Sequence, residues 1–292
     1  MSEMGDLPEE REEKMSYTAQ DVSTLRKLTS AGMMDCKNAL SESDGDMEAA
    51  KEWLRKKGLA GAAKRAGRAA DQGTIDVVID GNVAASVEVN CETDFVAKGE
   101  MFTGFVSDLA TLVAKHGTEG IESQSFRDST VAEEITALGA KVGENVTLGR
   151  MARYETSGVV DAYKHLQSGR GFIGVLVEVV NVADSEASRE VAHDIALHIA
   201  SAAPRYVSRD EVPEDVVAKE KVVLEEITRA EGKPEAAMEK IIAGRLDGFF
   251  KSVCLLEQPF VKDNKQSIKD LLGTLGAETT VAQFSRIKIG EE

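Results

Sequence analysis

Residues 89–97 read VNCETDFVA, and they mark the point where a buried strand gives way to a helix. The residues before them, 83–89, are mostly apolar and partly β-branched, which is typical of a strand. After them, apolar residues recur at helical spacing, namely at Met101, Phe102, Phe105, Val106, Leu109, Leu112 and Val113. Residues 93–96 are therefore predicted to lie on a strand-to-helix connection.

Asp94 and Phe95 allow two interpretations on such a connection. In the first, Asp94 caps the following helix and Phe95 staples that helix to the sheet. In the second, the pair projects from a firm scaffold into a protein partner, because connections of this kind carry many binding residues. The spacing of the residues does not decide between the two.

The sequence repeats itself beyond residue 72. GTID at residues 73–76 aligns with GVVD at residues 158–161, which is 85 positions later. Each copy predicts a two-strand hairpin, an amphipathic helix and a closing strand. The helices are predicted over residues 100–116 and 185–202, and the closing strands over residues 145–154 and 279–289. The predicted fold class is therefore α+β, with a duplicated core of two antiparallel-sheet-plus-helix halves, residues 73–157 and 158–292.

The second half carries an insertion, residues 211–250, that the first half lacks. Residues 232–234 read GKP, which breaks helices, and residues on both sides follow coiled-coil steps of three, four and seven. Those residues are Val216, Val223 and Ile227 before the break and Met238, Ile241, Arg245 and Phe249 after it. The insertion is predicted to be an antiparallel coiled-coil arm that either braces the fold or touches a partner.

Three further parts are predicted ahead of the core. Residues 1–18 are highly charged with almost nothing to bury, which predicts a disordered acidic leader. Residues 19–58 contain three short helical patterns separated by turn residues, which predicts a three-helix module. Residues 59–72 are predicted to be a basic helical linker, because Lys and Arg far outnumber acidic residues over residues 51–68. That linker either keeps the module soluble or contacts an acidic partner or RNA.

Met33 and Met34 are adjacent on the second predicted helix, so their side chains point about 100° apart. Both cannot face one small core equally, and one of them is expected to be exposed. The pair either fills gaps in the core or forms a soft contact patch for another protein.

Charge narrows the classes of function. The 292 residues carry a net charge of −16, and that field would oppose phosphate contacts, so a nucleic-acid binder is not expected. A basic protein surface is the better partner. No apolar run approaches the roughly 20 residues needed to span a membrane, and the amino terminus does not resemble a secretion signal. A cytoplasmic location is therefore expected.

No small-molecule motif stands in a suitable context. GRGFIG at residues 169–174 matches the dinucleotide fingerprint, but a strand follows it instead of a helix, so a hairpin loop is predicted. The three cysteines, Cys36, Cys91 and Cys254, lack metal-ligand spacing and are expected to be buried or half-exposed free thiols. No histidines lie at i, i+4 spacing, and no phosphate-binding loop is present. The chain is therefore predicted not to be an enzyme and to bind no nucleotide, cofactor or metal itself.

Two long segments are distinctive enough to indicate a particular protein family: LRKLTSAGMMDCK at residues 25–37 and EVNCETDFVAK at residues 88–98. Shorter ones are KVGEN at residues 141–145, YKH at residues 163–165 and GRL at residues 244–246. In these segments, and over nearly everything from Tyr17 to Gly290, the sequence resembles the bacterial elongation factor Ts family. Members of that family are guanine-nucleotide exchange factors of elongation factor Tu.

The resemblance implies a ubiquitin-associated-like helical module, a two-part core and a coiled-coil arm. It also implies a partner, elongation factor Tu, bound both in its GDP form and without nucleotide. Asp94 and Phe95, flanked by Thr93 and Val96, would insert between helices of the partner's GTPase domain. There they would disturb its magnesium site, so that GDP leaves.

The resemblance implies other contacts as well. Met33 and Met34 would touch the same GTPase domain, and His165 would meet the partner's third domain. Val142 and Gly143 would support the exchange from behind the inserted pair. Two other functions compete: an RNA- or ribosome-binding module that uses the basic linker, and a cofactor enzyme that uses Cys91 or the glycine loop. An enzyme would bind a cofactor or turn over in isolation, and an RNA binder would show steep salt dependence.

Overall fold

A computed structural model describes residues 16–29 and 31–291 of the chain. Ten α-helices and ten β-strands lie within these residues. The helices are α1 (Ala19–Thr29), α2 (Met33–Glu42), α3 (Met47–Arg65), α4 (Asp94–Ala97), α5 (Glu100–His116), α6 (Val131–Val142), α7 (Glu186–Ala202), α8 (Glu214–Ala230), α9 (Glu235–Val253) and α10 (Ile268–Gly273). The strands are β1 (Gln72–Asp80), β2 (Val83–Cys91), β3 (Ser125–Phe126), β4 (Ser129–Thr130), β5 (Thr147–Glu155), β6 (Val159–Gln167), β7 (Arg170–Val180), β8 (Pro259–Phe260), β9 (Asp263–Ser267) and β10 (Thr280–Lys288).

The chain separates into two compact units, Met1–Arg68 with Ala132–Val146, and Ala69–Val131 with Thr147–Glu292. Most of the predicted acidic leader, residues 1–15, lies outside the described residues. The prediction that it is disordered therefore stays a prediction.

The first unit begins with the three helices that the sequence predicts. Asp46 caps α3, because its carboxylate accepts hydrogen bonds from the backbone N–H groups of Glu48 and Ala49, both at 2.9 Å. Helix α3 continues to Arg65, so the basic stretch starts as part of a helix. The small core between the three helices contains Tyr17, Leu25, Cys36, Ala39, Leu40 and Ala50.

The second unit contains two three-stranded antiparallel sheets with the same topology. Their strand orders are β1-β2-β5 and β6-β7-β10, so in each sheet a later strand pairs with the second strand of a hairpin. Helix α5 packs on the first hairpin and α7 on the second. The predicted α+β fold with a duplicated sheet-and-helix core is confirmed.

The duplication extends further than the sequence pattern indicates. A short 3-10 turn, Ile121–Ser123, precedes strands β3 and β4, and a second one, Leu255–Glu257, precedes β8 and β9. In both copies a glutamine carbonyl closes this hairpin: Gln124 accepts from the N–H of Val131 at 3.1 Å, and Gln258 accepts from Ile268 at 3.1 Å. The two glutamines are 134 positions apart, so the segment that adds length to the second half lies between α7 and Leu255.

That added segment is the arm, built from α8 and α9 around a turn at Gly232, which has φ +70°. Its two ends are fastened to each other. The N–H of Arg205 donates to the carbonyl of Val253 at 2.9 Å, and the N–H of Leu255 donates to that of Tyr206 at 2.8 Å. The chain therefore enters and leaves the arm at one place.

The seam of the arm agrees with the predicted one in part, because Met238 is buried and Val216 and Phe249 pack around buried Val253. Val223 and Ile227 are 47% and 45% exposed. The buried positions of its two helices are Thr228, Met238, Ile242 and Val253. Thr228 can be buried because its hydroxyl bonds to a carbonyl of its own helix. Residue spacing could not decide this, because the neighbouring stripe of α8 recurs with the same period.

The two sheets meet where the edge strand β1 lies against the central strand β7. Arg170 is buried, and its guanidinium donates to the carbonyl of Gly73 and to Oε1 of Gln72, both at 2.7 Å. A Cβ at Gly171 would collide with the carbonyl oxygen of Ile75. Glycine at that position is what allows the strands to approach so closely.

An ion pair within the first sheet provides a second link to the other sheet. The side chain of Glu88 on β2 is 4% exposed, and Arg150 on β5 donates to it through Nε at 2.8 Å and through Nη2 at 3.2 Å. The same Nη2 donates to the carbonyl of Lys288 on β10 at 2.7 Å. One arginine therefore links strands of both sheets, and its bidentate geometry compensates for burying the carboxylate.

This packing explains the glycine pattern at residues 169–174. Ser168 and Gly169 have φ values of +53° and +84° and form the hairpin turn, and β7 follows directly. The prediction that a strand follows the motif is confirmed. The later glycines, however, lie inside that strand, where Gly171 and Gly174 make room for Ile75. The predicted loop interpretation therefore holds for Gly169 alone.

We expect Gly171→Ala to lower the free energy of unfolding by about 2–4 kcal/mol, because the added methyl group meets a backbone carbonyl that cannot turn away. Gly104→Ala is the matched control. Gly104 lies inside α5, and beyond the local helix backbone nothing lies within 4 Å of the place that an alanine methyl group would take, so alanine should raise stability by about 0.5–1 kcal/mol. Urea denaturation of both variants measures the difference, and equal effects would refute the close approach.

Candidate functional site

Four of the predicted site residues, Thr93, Asp94, Phe95 and Val96, lie on one short turn after β2. Thr93 is the N-cap of α4, and its side-chain oxygen accepts a hydrogen bond from the N–H of Val96 at 3.4 Å. The N–H of Lys98 donates to the carbonyl of Asp94 at 3.2 Å and closes the turn. Residues 93–98, called the exposed turn below, are therefore held by their own backbone together with the Thr93 hydroxyl.

Phe95 projects into solvent from this turn with 75% of its surface exposed. Ala97 is fully buried and is the residue of α4 that faces the core. Successive residues of a helix point about 100° apart, so a single turn cannot direct both side chains inward. An exposed aromatic ring on a fixed backbone is available to a partner.

The interpretation in which Asp94 caps a helix and Phe95 staples it to the sheet is wrong. Thr93 caps α4, and α5 begins after Gly99, which makes no side-chain cap. The sequence pattern assigned Asp94 to the cap of α5 because Asp is a good N-cap residue and the four residues of α4 have no periodic pattern that would reveal a separate helix.

Lys98 contacts both projecting residues of the exposed turn. Its Nζ lies 3.2 Å from Oδ2 of Asp94 and 4.4 Å from the centroid of the Phe95 ring. The side chains of Lys98 and Asp94 are 38% and 49% exposed, so this is a surface arrangement. The carboxylate and the ring share one ammonium group.

Met33 and Met34 begin α2 and are 59% and 63% exposed. The sequence predicted that one of them would be exposed, and both are. The buried positions of α2 are Cys36, Ala39 and Leu40, so the two methionines at its start lie outside the small core. Leu28, which fits the apolar pattern of α1, is also 51% exposed and does not belong to that core.

His165 lies near the end of β6 and is exposed. Its Nδ1 shares a hydrogen bond with the hydroxyl of Tyr163 at 3.2 Å. The ring of His193, on α7, lies edge-on to Tyr163 with centroids 6.1 Å apart, and its Nδ1 lies 2.9 Å from the carboxylate of Asp161. Burial raises the pKa of Asp161, and the hydrogen bond from His193 limits that rise. His165 is thus held by a chain of ring contacts that leads back to α7.

Val142 and Gly143 end helix α6 in the first unit. Gly143 has φ +78°, and its N–H donates to the carbonyl of Gly139 at 3.0 Å, which is ordinary glycine termination of a helix. The predicted support of these two residues for the exposed turn stays a prediction.

Three other features were sought in the described residues: a reactive cysteine, a metal site and a membrane-spanning helix. The three cysteines form no disulfide and are buried, and the thiol of Cys91 donates to the carbonyl of Thr93 at 3.3 Å, which is a structural contact. Across residues 16–29 and 31–291, no group of three or more His, Cys, Asp or Glu side chains is arranged to hold a metal ion. In the same part of the chain, no helix is long and apolar enough to cross a membrane.

Comparisons with known proteins bear on the whole chain. The family model described as Elongation factor TS matches residues 92–291. The chain belongs to the elongation factor Ts family. Elongation factor Ts of Streptomyces avermitilis is 46% identical over 283 residues, which covers 94% of this chain and 99% of that protein. The same factor of Rhodospirillum rubrum is 45% identical over 286 residues, covering 94% and 93%.

Membership of the elongation factor Ts family makes this chain a translation elongation factor. The residues matched by the family model include the whole exposed turn, residues 93–98, and also His165. Sequence reasoning found those residues but missed Lys98 and Tyr163. Two signals were present: Lys98 stands at i+4 from Asp94 in a helical stretch, and Tyr163 stands at i−2 from His165 in a strand, so each shares a face with its neighbour.

We expect Phe95→Ala to change the free energy of unfolding by no more than about 0.5 kcal/mol, because the ring lies in solvent. Phe105→Ala is the control, since Phe105 is 1% exposed, and it should cost about 3–5 kcal/mol. Thr93→Ala should fall between them at about 1 kcal/mol through loss of the cap. Urea denaturation measures all three. A large loss in Phe95→Ala would restore the staple interpretation.

Proposed function

We propose that this protein is the nucleotide-exchange factor of elongation factor Tu: it binds the GDP complex, promotes release of GDP and leaves the partner free to take up GTP. The observation that carries the proposal is the 75% exposure of Phe95 on a turn whose backbone is fixed. Covering an exposed phenyl group with a partner recovers about 1.5–3 kcal/mol that its burial supplies, so such a ring can contribute strongly to a contact.

Exchange requires coupling between two binding events. A nanomolar nucleotide complex corresponds to ~12 kcal/mol, so prompt release requires a partner conformation in which most of that affinity is lost. The factor stabilises that conformation, and by reciprocity the nucleotide weakens binding of the factor by the same ratio. The magnesium ion is a suitable target, because it bridges phosphates and protein oxygens and dominates the local charge.

The residues divide into two roles. Phe95 acts as the wedge that enters the partner's GTPase domain, and Asp94 brings a carboxylate near the magnesium ligands, while Thr93 and Val96 hold the turn in shape. Met33, Met34 and His165 provide affinity through separate contacts. Affinity and exchange are therefore separable by substitution.

An RNA-binding role for the basic stretch is less well supported. On α3, Lys51, Lys56 and Lys57 form ion pairs with Glu48, Glu52 and Asp35 at 2.7–2.9 Å. Cations that are already paired release fewer counterions from a nucleic acid on binding.

Release of labelled GDP from elongation factor Tu, followed by stopped flow with and without the chain, tests the proposal. We expect Phe95→Ala to slow stimulated release about tenfold or more, equivalent to 1.4 kcal/mol, while affinity for the nucleotide-free partner falls less. Asp94→Ala should act in the same direction, with a defect that depends on magnesium concentration.

Ile79→Ala is the control, because Ile79 is an exposed apolar residue, 45% accessible, on strand β1. It should release GDP at the parent rate. If Phe95→Ala and Asp94→Ala also release GDP at the parent rate, the exposed turn is not the exchange element. If the parent chain does not stimulate release at all, the proposed function is wrong.

A second test concerns affinity. Met34→Asp should leave the fold intact, since the side chain is 63% exposed, and should weaken the complex about tenfold by placing a charge in an apolar contact. Leu40→Ala, at a fully buried position of the same helix, should instead lower the melting temperature. Calorimetric titration and thermal melting separate the two effects. Unfolding by both Met33→Asp and Met34→Asp would assign the methionines to the core.

A further inference from the structure

Lys98 joins the two residues of the exposed turn that the proposed function uses. Its backbone N–H closes α4 by bonding to the carbonyl of Asp94, and its side chain folds back over the same turn. There the ammonium group lies 3.2 Å from the Asp94 carboxylate and 4.4 Å from the Phe95 ring centroid. A single side chain therefore contacts both.

Such an arrangement matters most for an exposed ring. A side chain that is 75% exposed has little packing to select its rotamer, and ordering it on binding would oppose association. An ammonium group over the ring face is attracted by the negative face of the aromatic system and so favours one orientation of the ring. The ring is then oriented before the partner arrives.

Charge provides the second part of the argument. The target of the turn holds a nucleoside diphosphate, whose phosphates outweigh a single divalent cation, and this chain already carries a net charge of −16. A lone carboxylate approaching that site would be repelled at distances within the Debye length of about 8 Å. Paired with Lys98, the carboxylate of Asp94 arrives as part of a neutral group.

We propose that Lys98 is a positioning residue for exchange: it orients Phe95 and neutralises Asp94 during docking. The inference rests on the proposed exchange function. Lys98 does not displace the magnesium ion, and its effect is exerted through Asp94 and Phe95.

The test compares stimulated GDP release by the full chain carrying Lys98→Met, which keeps the aliphatic stem but removes the charge, and Lys98→Arg, which keeps the charge. Lys219→Met is the matched control. Lys219 forms an i, i+4 pair with Asp215 at 2.8 Å on α8, so the same charge is removed from the same kind of pair. When the concentration of this chain limits the rate, we expect Lys98→Met to slow GDP release about fivefold. Lys98→Arg and Lys219→Met should release GDP within about twofold of the parent rate.

The defect of Lys98→Met should also shrink as salt rises from about 50 mM to about 500 mM, because screening removes the repulsion. Parent-like release by Lys98→Met would overturn the inference while leaving the proposed function intact. Equal defects in Lys98→Met and Lys98→Arg would overturn the role of charge. No stimulation by the parent chain would overturn both.

A readout on the isolated chain is independent of exchange. The ε-methylene protons of Lys98 should resonate upfield of those of Lys219, because they lie over the ring of Phe95, and Phe95→Leu should abolish the difference. If the two lysines have the same shifts in the parent chain, the ring contact does not persist in solution and the positioning role is refuted.

Discussion

The close approach of strands β1 and β7 is the constraint on which the second unit depends. At that contact Gly171 faces the backbone of Ile75, and the guanidinium of Arg170 takes the place of water at the carbonyl of Gly73. Strand β1 pairs with β2 in a hairpin, and the exposed turn follows β2. The position of Phe95 relative to His165 is therefore set by a packing contact in which neither residue takes part.

The exposed turn shows how a short segment can be both rigid and accessible. The Thr93 hydroxyl, the buried methyl group of Ala97 and the backbone bonds of α4 hold the chain. None of these groups needs the side chains of Asp94 or Phe95 for stability. Because holding the turn and presenting the side chains are done by different atoms, those two positions are free to serve a partner.

Sequence reasoning succeeded where periodicity is long and failed where direction is decided by a single turn. Helix α5 has the predicted bounds because its apolar residues repeat over many turns, and the hairpins follow from a repeat in the chain itself. The exposure of Phe95 could not be predicted, because a four-residue helix has no period to read. Similarly, Thr228 is buried in the arm while its neighbour Ile227 is exposed, because hydrophobicity does not reveal a threonine that bonds to its own backbone.

The candidate site, like the fold, was predicted from the sequence only in part. Asp94 and Phe95 could be recognised from the sequence, but the ion pair and the ring contact that join them to Lys98 are visible only in the structure.

The arm has a further consequence, for how the chain could be altered. Its entry and exit are bonded to each other, Arg205 to Val253 and Leu255 to Tyr206. Because the entropic cost of closing a loop grows by only about 0.6 kcal/mol for each doubling of its length, this place tolerates inserted segments of different lengths. The first half joins the same elements by a short connection. The arm is thus an interchangeable cassette on a duplicated frame, and residues 205 and 255 form a natural junction for transplanting other helical hairpins.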